Sequence, residues 1–115
     1  MLENGKLGPN WPVVDFAGSP HALWDFRQKS HVILLHLPGA TPAQRDEWRA
    51  AVEKNKKRWD WLNATFVTLK EPANELPAGV YVIDRYGRLW NSYAADGWTL
   101  ETLENDLVYY EARHC

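Results

Sequence analysis

The 115-residue sequence predicts one mixed α/β domain. Three observations lead there. His31-Val32-Ile33-Leu34-Leu35-His36-Leu37 is an apolar run bounded by Ser30 and Pro38, the pattern of a strand covered on both faces. Thr41-Pro42-Ala43-Gln44 follows with the residues that start a helix: a capping threonine, a proline at the first helical position and a glutamine three residues after the cap. Thr65-Phe66-Val67-Thr68-Leu69, β-branched and aromatic, comes closely after that helix, so the three segments read as a right-handed β-α-β unit with parallel strands. A chain of this length buries one core and is too short for a second domain.

The remaining elements follow in chain order. Residues 1–12, polar and rich in Gly, Pro and Asn, are expected as a flexible N-terminal segment, with the domain over 13–115. Trp11 to Phe16 reads as an edge strand, and Ser19-Pro20 supplies a cap and a first-turn proline for a short helix from Pro20 to about Gln28. Leu23, Trp24 and Phe26 are expected to cover the core from it. The long helix beginning at Pro42 is expected to turn Trp48, Val52, Trp59 and Leu62 inward and its lysines and arginines to water. Lys70 to Gly79 carries two prolines and a glycine and reads as a loop. Val80 to Ile83 and Leu89 to Tyr93 then flank Asp84-Arg85-Tyr86-Gly87-Arg88, a hairpin signal. Asp96-Gly97 breaks the chain, Thr99 can cap, and Leu100, Leu103, Leu107 and Tyr110 recur at the spacing of a closing amphipathic helix.

Composition removes several classes of function. A net charge of −2 with interspersed signs lacks the clustered basic face of a nucleic-acid binder, and Lys54, Lys56, Lys57 and Arg58 read as the solvated side of a helix. No apolar run approaches the roughly 18 residues of a membrane span. Met1 to Pro12 has neither the basic start nor the apolar stretch of a secretory signal, so the chain as given reads as cytoplasmic, with a periplasmic or secreted setting left open should a leader have been removed. The one cysteine is Cys115, which leaves no intramolecular disulfide, no Cys-x-x-Cys pair and no multi-cysteine metal site. No phosphate loop, zinc-ligand set or nucleophile elbow is present, and no cofactor is called for. His31 and His36, at odd spacing on one strand, point to opposite faces and read as hydrogen-bonded structural histidines.

The element order, together with Val32 to Glu47 and Leu76-Pro77-Ala78-Gly79-Val80-Tyr81-Val82-Ile83-Asp84-Arg85-Tyr86-Gly87-Arg88, resembles the thioredoxin-like fold. The resemblance is to its alkyl hydroperoxide reductase and thiol-specific antioxidant branch, which includes peroxiredoxins and thiol-disulfide oxidoreductases, and runs from about Val13 to Tyr110. It implies a central mixed sheet flanked by helices, and it places Pro77 at the family's cis-proline. The active-site loop departs from the family. Where peroxiredoxins have Thr-x-x-Cys, this sequence has Thr41 and then Gln44, one residue short in its spacing from Pro38; against Cys-x-x-Cys, the same two residues fall at the cysteine positions. The chemistry needs a thiolate, and an amide is neither ionisable nor nucleophilic.

The expectation for function is therefore a redox-inactive thioredoxin-like module. It would hold a protein or peptide segment in the groove between the Pro38 to Gln44 loop and the Leu76-Pro77 turn, with Thr41, Gln44, Pro77 and Trp98 as binding residues and no catalytic or metal-ligating ones. Thr41 and Gln44 also meet the needs of a capping box, which is their simpler role. Seven tryptophans are present; Trp48, Trp59 and Trp90 fit the core, whereas Trp11, Trp61 and Trp98 are hard to bury by pattern. The rivals are an atypical thiol oxidoreductase that depends on Cys115 or a partner's thiol, and a structural or assembly subunit. A monomer or weak dimer is expected.

Overall fold

Strand β3, His31–His36, is buried along its whole length and lies within the sheet that organises the domain. The structure, a computed structural model, describes residues 3–71 and 76–114. Among these, the strands are β1 (Pro12–Asp15), β2 (Pro20–Ala22), β3, β4 (Ala64–Leu69), β5 (Gly79–Ile83) and β6 (Leu89–Ala94). The helices are α1 (Pro42–Lys54), α2 (Lys56–Trp61) and α3 (Leu100–His114), with a 3₁₀ turn at Leu23–Phe26. The sheet order is β2-β1-β4-β3-β5-β6. β3 and β4 are parallel, as the β-α-β reading requires, with Ile33 opposite Phe66; β5 is antiparallel to β3 and forms the expected hairpin with β6. The domain is thus α/β, a mixed sheet with helices.

Alternation along β3 divides the core in two. Ile33 and Leu35 face one side, where with Phe66, Val80 and Val82 they meet Trp59 and Leu62 from the α2 segment and Leu103 and Leu107 from α3. Val32 and Leu34 face the other, with Val13, Val67, Tyr81 and Ile83, and there the cover comes from Leu23, Leu76, Trp11 and Phe26. One face is helix-covered; the other is closed by the 3₁₀ turn and loops. Each fully buried Leu or Ile contributes about 1.5–3 kcal/mol, so both layers matter to stability.

Glycines fit two close approaches. A Cβ on Gly79 would lie 2.3 Å from the Tyr93 carbonyl oxygen, so only glycine lets β5 and β6 meet there. Gly87 turns the hairpin at φ 86°, while the Asp84 carboxylate accepts the Tyr86 and Arg88 amides at 2.9 and 3.0 Å.

Several expectations are corrected. Pro20 to Gln28 is not a helix: Pro20–Ala22 pairs with β1, Asp25 Oδ2 takes the Ala22 amide, and the 3₁₀ turn ends before Gln28, which sits at φ 63°. Trp24 is 40% exposed, its indole donating to the Gly8 carbonyl instead of packing in the core. β1 is inside the sheet, between β2 and β4, because β2 takes the edge. The long helix is two, broken at Asn55, whose side chain donates back to the Ala51 carbonyl at 3.2 Å, a local bond that competes with helix continuation. The Leu76–Pro77 peptide is trans rather than cis. Trans is the intrinsically preferred form, and the Tyr81 hydroxyl holds the Pro77 carbonyl at 2.6 Å in this arrangement. Apart from these corrections, Gly5 donates to the Leu89 carbonyl, the Leu89 amide to the Lys6 carbonyl, and Gly8 to the Gly87 carbonyl.

Candidate functional site

Because β3 and β4 run parallel, their carboxyl ends lie side by side, and the chain leaves β3 there through Leu37, Pro38 and Gly39 into α1. This is the end of a parallel pair at which open α/β sheets generally bind ligands. The Ala40 amide donates to the Leu37 carbonyl and tightens the turn. Thr41 then caps α1: its hydroxyl accepts the Gln44 amide at 3.1 Å, and the Gln44 side-chain oxygen accepts the Thr41 amide at 3.0 Å. The reciprocal pair is the capping box the sequence indicated, and both side chains are exposed.

Beside this start lies a cavity of about 300 Å³. Its walls are Phe16, Leu37 and Pro38, the ends of β3 and β4 from Leu35 to His36 and Thr68 to Lys70, and one face of α1 carrying Arg45, Trp48 and Arg49. Positions i, i+3 and i+4 share a helix face, so these three side chains reach the cavity together. The Trp48 ring is backed by Trp98, with centroids 5.4 Å apart, and the Arg49 guanidinium lies 5.9 Å from the Phe16 ring centroid. Phe16 in turn packs on Phe66 at 5.5 Å. His36 is 5% exposed and pairs with Gly79 across β3 and β5; the alternation of β3 places its side chain on the face of Val32 and Leu34, opposite Leu35.

The residues singled out from the sequence are distributed over this end of the molecule. Thr41 and Gln44 bond to each other at its helix start and line neither hollow. Pro77 lines a second hollow of about 340 Å³, with Leu76, Ala78, Tyr81, Ser92, Tyr93 and Ala94. Burial pushes the Tyr81 phenol up from its ordinary value there. Trp98 is half-buried and supports Trp48 from behind. Cys115 lies outside the described residues. The sequence reading did not pick out Arg45, Arg49, Lys70 or Phe16; the pattern Arg45, Trp48, Arg49 on the first two turns of a capped helix was the available signal.

His31 belongs to a different cluster. The Arg85 amide donates to its Nδ1 at 3.0 Å, which leaves Nε2 to carry the proton toward Glu111 Oε1 at 2.6 Å. Tyr110 stacks edge-on against the ring and reaches Asp84. This cluster fastens α3 to the β5–β6 turn and is structural.

No family model matches the sequence, and no curated protein matches it. Solved structures do. The reduced 2-Cys peroxiredoxin of Plasmodium vivax is similar with a TM-score of 0.71 at 14% identity, over 96% of this chain and 83% of that one. Peroxidoxin BcpB of Mycobacterium tuberculosis matches with a TM-score of 0.66 at 12% identity, over 97% of this chain and 98% of that one. A cysteine-to-serine mutant of Xylella fastidiosa PrxQ matches with a TM-score of 0.66 at 11% identity, over 100% and 99%. The chain therefore has the thioredoxin-like fold in the form seen in peroxiredoxins. Its one cysteine stands at position 115, far in sequence from the helix start at which that fold's branch carries its thiol.

Proposed function

We propose that the chain is a thiol-independent binding module. It holds a peptide or protein segment at the carboxyl ends of β3 and β4, beside the first turns of α1. The observation that carries this reading is the Thr41–Gln44 capping box with an open cavity next to it: the helix start is occupied by a cap, while the adjoining concave surface is retained. The positive end of the α1 dipole faces this region, yet Thr41 and Gln44 give it no ionisable sulfur to activate. Nucleophilic attack on a peroxide or a disulfide has no group to perform it at this position, whereas hydrogen bonding and apolar contact do.

Peroxide turnover and reduction of insulin disulfides by the chain and by its Cys115→Ser variant test the loss of thiol chemistry. Both proteins are expected to match buffer. Equal rates well above buffer in the two would contradict the reading, and a rate lost only in Cys115→Ser would assign an oxidoreductase role to the terminal thiol.

A further inference from the structure

The cavity beside α1 has a composition that its fold does not require. Arg45, Arg49 and Lys70 line it, no carboxylate does, and none of the three cations has an ion-pair partner among the described residues. The protein as a whole carries a net charge of −2, so this cationic group is a local concentration against the overall sign. Uncompensated cations packed at a concave surface repel one another, an arrangement that an anion relieves, and low-dielectric walls focus its field. The walls are apolar and aromatic: Phe16, Leu37, Pro38 and Trp48. Two of these groups are held in place before any ligand arrives, Arg49 over the Phe16 ring and Trp48 against Trp98.

Resting on the binding reading above, we infer that this pocket takes a carboxylate carried on an apolar body about the size of one large side chain. The volume of about 300 Å³ is at the lower limit of small-ligand sites and suits one apolar group with its charged end. Arg45 and Arg49 present planar guanidinium groups, which match a carboxylate in two parallel hydrogen bonds. Lys70 adds a third positive charge from the end of β4. The Phe16 and Trp48 rings receive the apolar part. A peptide's C-terminal residue and a free aromatic acid share this chemistry.

The test is a titration of the isotopically labelled chain with 3-phenylpropionate and with its neutral amide, read from the backbone amides of Arg45, Trp48, Arg49 and Lys70 and from the Trp48 indole. The acid is expected to shift these signals saturably, with the amide weaker by about tenfold or more, the loss that follows from removing a charge-assisted bond. Arg45→Gln and Arg49→Gln, both at exposed helix positions, are expected to weaken the acid and leave the amide unchanged. Equal affinity for acid and amide overturns the inference, as does displacement of the acid by an equal concentration of inorganic phosphate. A Phe-terminated peptide with a free carboxylate that competes with the acid identifies a peptide C-terminus as the source. Binding by the acid but by no peptide keeps the carboxylate inference and removes the peptide-binding reading. Shifts caused only by end-blocked peptides do the opposite, and the absence of shifts from every probe removes both.

Discussion

Asp15 shows how one carboxylate can organise a turn. Its Oδ1 accepts the amides of Ala17 and Ser19, each at 2.9 Å, and its Oδ2 meets His21 Nε2 at 2.8 Å, so the β1–β2 connection closes on one side chain. Burial works against the charged form, but the bonds from Ser19, His21 and Ala17 and the charge of His21 outweigh it, and the carboxyl titrates below its ordinary value of 3.8. A depressed carboxyl contributes stability that is present above its unfolded value and is lost as pH falls through the folded one. Asp15→Asn is therefore expected to lower stability at neutral pH by about 1–2 kcal/mol and to flatten the acid limb of the stability curve below about pH 4, as read by chemical denaturation. Trp59 offers a different test. Its indole nitrogen is buried with no partner among the described residues, while its ring stands edge-on to Phe66 at 4.8 Å. Trp59→Phe removes the orphan donor along with some volume and is expected to stay within about 1 kcal/mol of the native chain, whereas Trp59→Ala is expected to cost about 3–5 kcal/mol.

Elements were legible in the sequence where local chemistry and long-range pairing agreed. The capping box at Thr41 and Gln44, the buried run of β3, and the hairpin around Gly87 each carry their signal within a few residues. Over Pro20 to Gln28 the serine-proline start says helix, while pairing of Pro20 with Val14 and Ala22 with Pro12 makes Pro20–Ala22 a strand, and pairing is invisible to a local pattern. The break at Asn55 was hidden for a similar reason: Trp59 and Leu62 keep an inward face on either reading, although Trp48 and Val52 are only half-buried. The cavity was less legible than the fold. It assembles Phe16, His36, Arg45 and Lys70 from four separate segments, and the pairing of β4 with both β1 and β3 brings those segments together. Two element-scale outcomes follow. Thr41→Ala is expected to cost about 1 kcal/mol through the lost cap, measurable by denaturant titration. Gly79→Ala is expected to cost about 1–3 kcal/mol, because the added carbon meets a backbone oxygen of β6 that cannot rotate away, and to disturb Tyr93 and Ala94 amide signals.

Across the molecule, α3 is fastened to the sheet by two phenols as well as by its leucines. Tyr93 donates to Asp106, which also receives the Asn91 amide at 3.1 Å, and Tyr110 donates to Asp84 at 3.3 Å. Both phenols are pushed up to about 12, first by burial and then by the neighbouring carboxylate. A raised phenol pKa means that the unfolded chain loses its proton first, so the stability it confers is intact below about pH 10 and falls as pH rises through about 12. Alkaline unfolding is expected in that window, with tyrosinate absorbance rising as α3 comes off the sheet. Elsewhere the surface leaves Trp61 72% exposed, held by the Arg58 guanidinium 4.7 Å from its ring centroid. None of the described helices is long and apolar enough to cross a membrane. The thioredoxin-like frame is present, its helix start is capped, and a basic, aromatic pocket adjoins it. The most direct measurement is the amide spectrum of the Cys115→Ser protein titrated with a library of end-blocked and free peptides. Saturable shifts centred on Arg45, Trp48 and Arg49, obtained without any cysteine in the chain, are predicted. Peptides that leave those signals unmoved while shifting only residues around Trp61 would contradict a binding site at the start of α1.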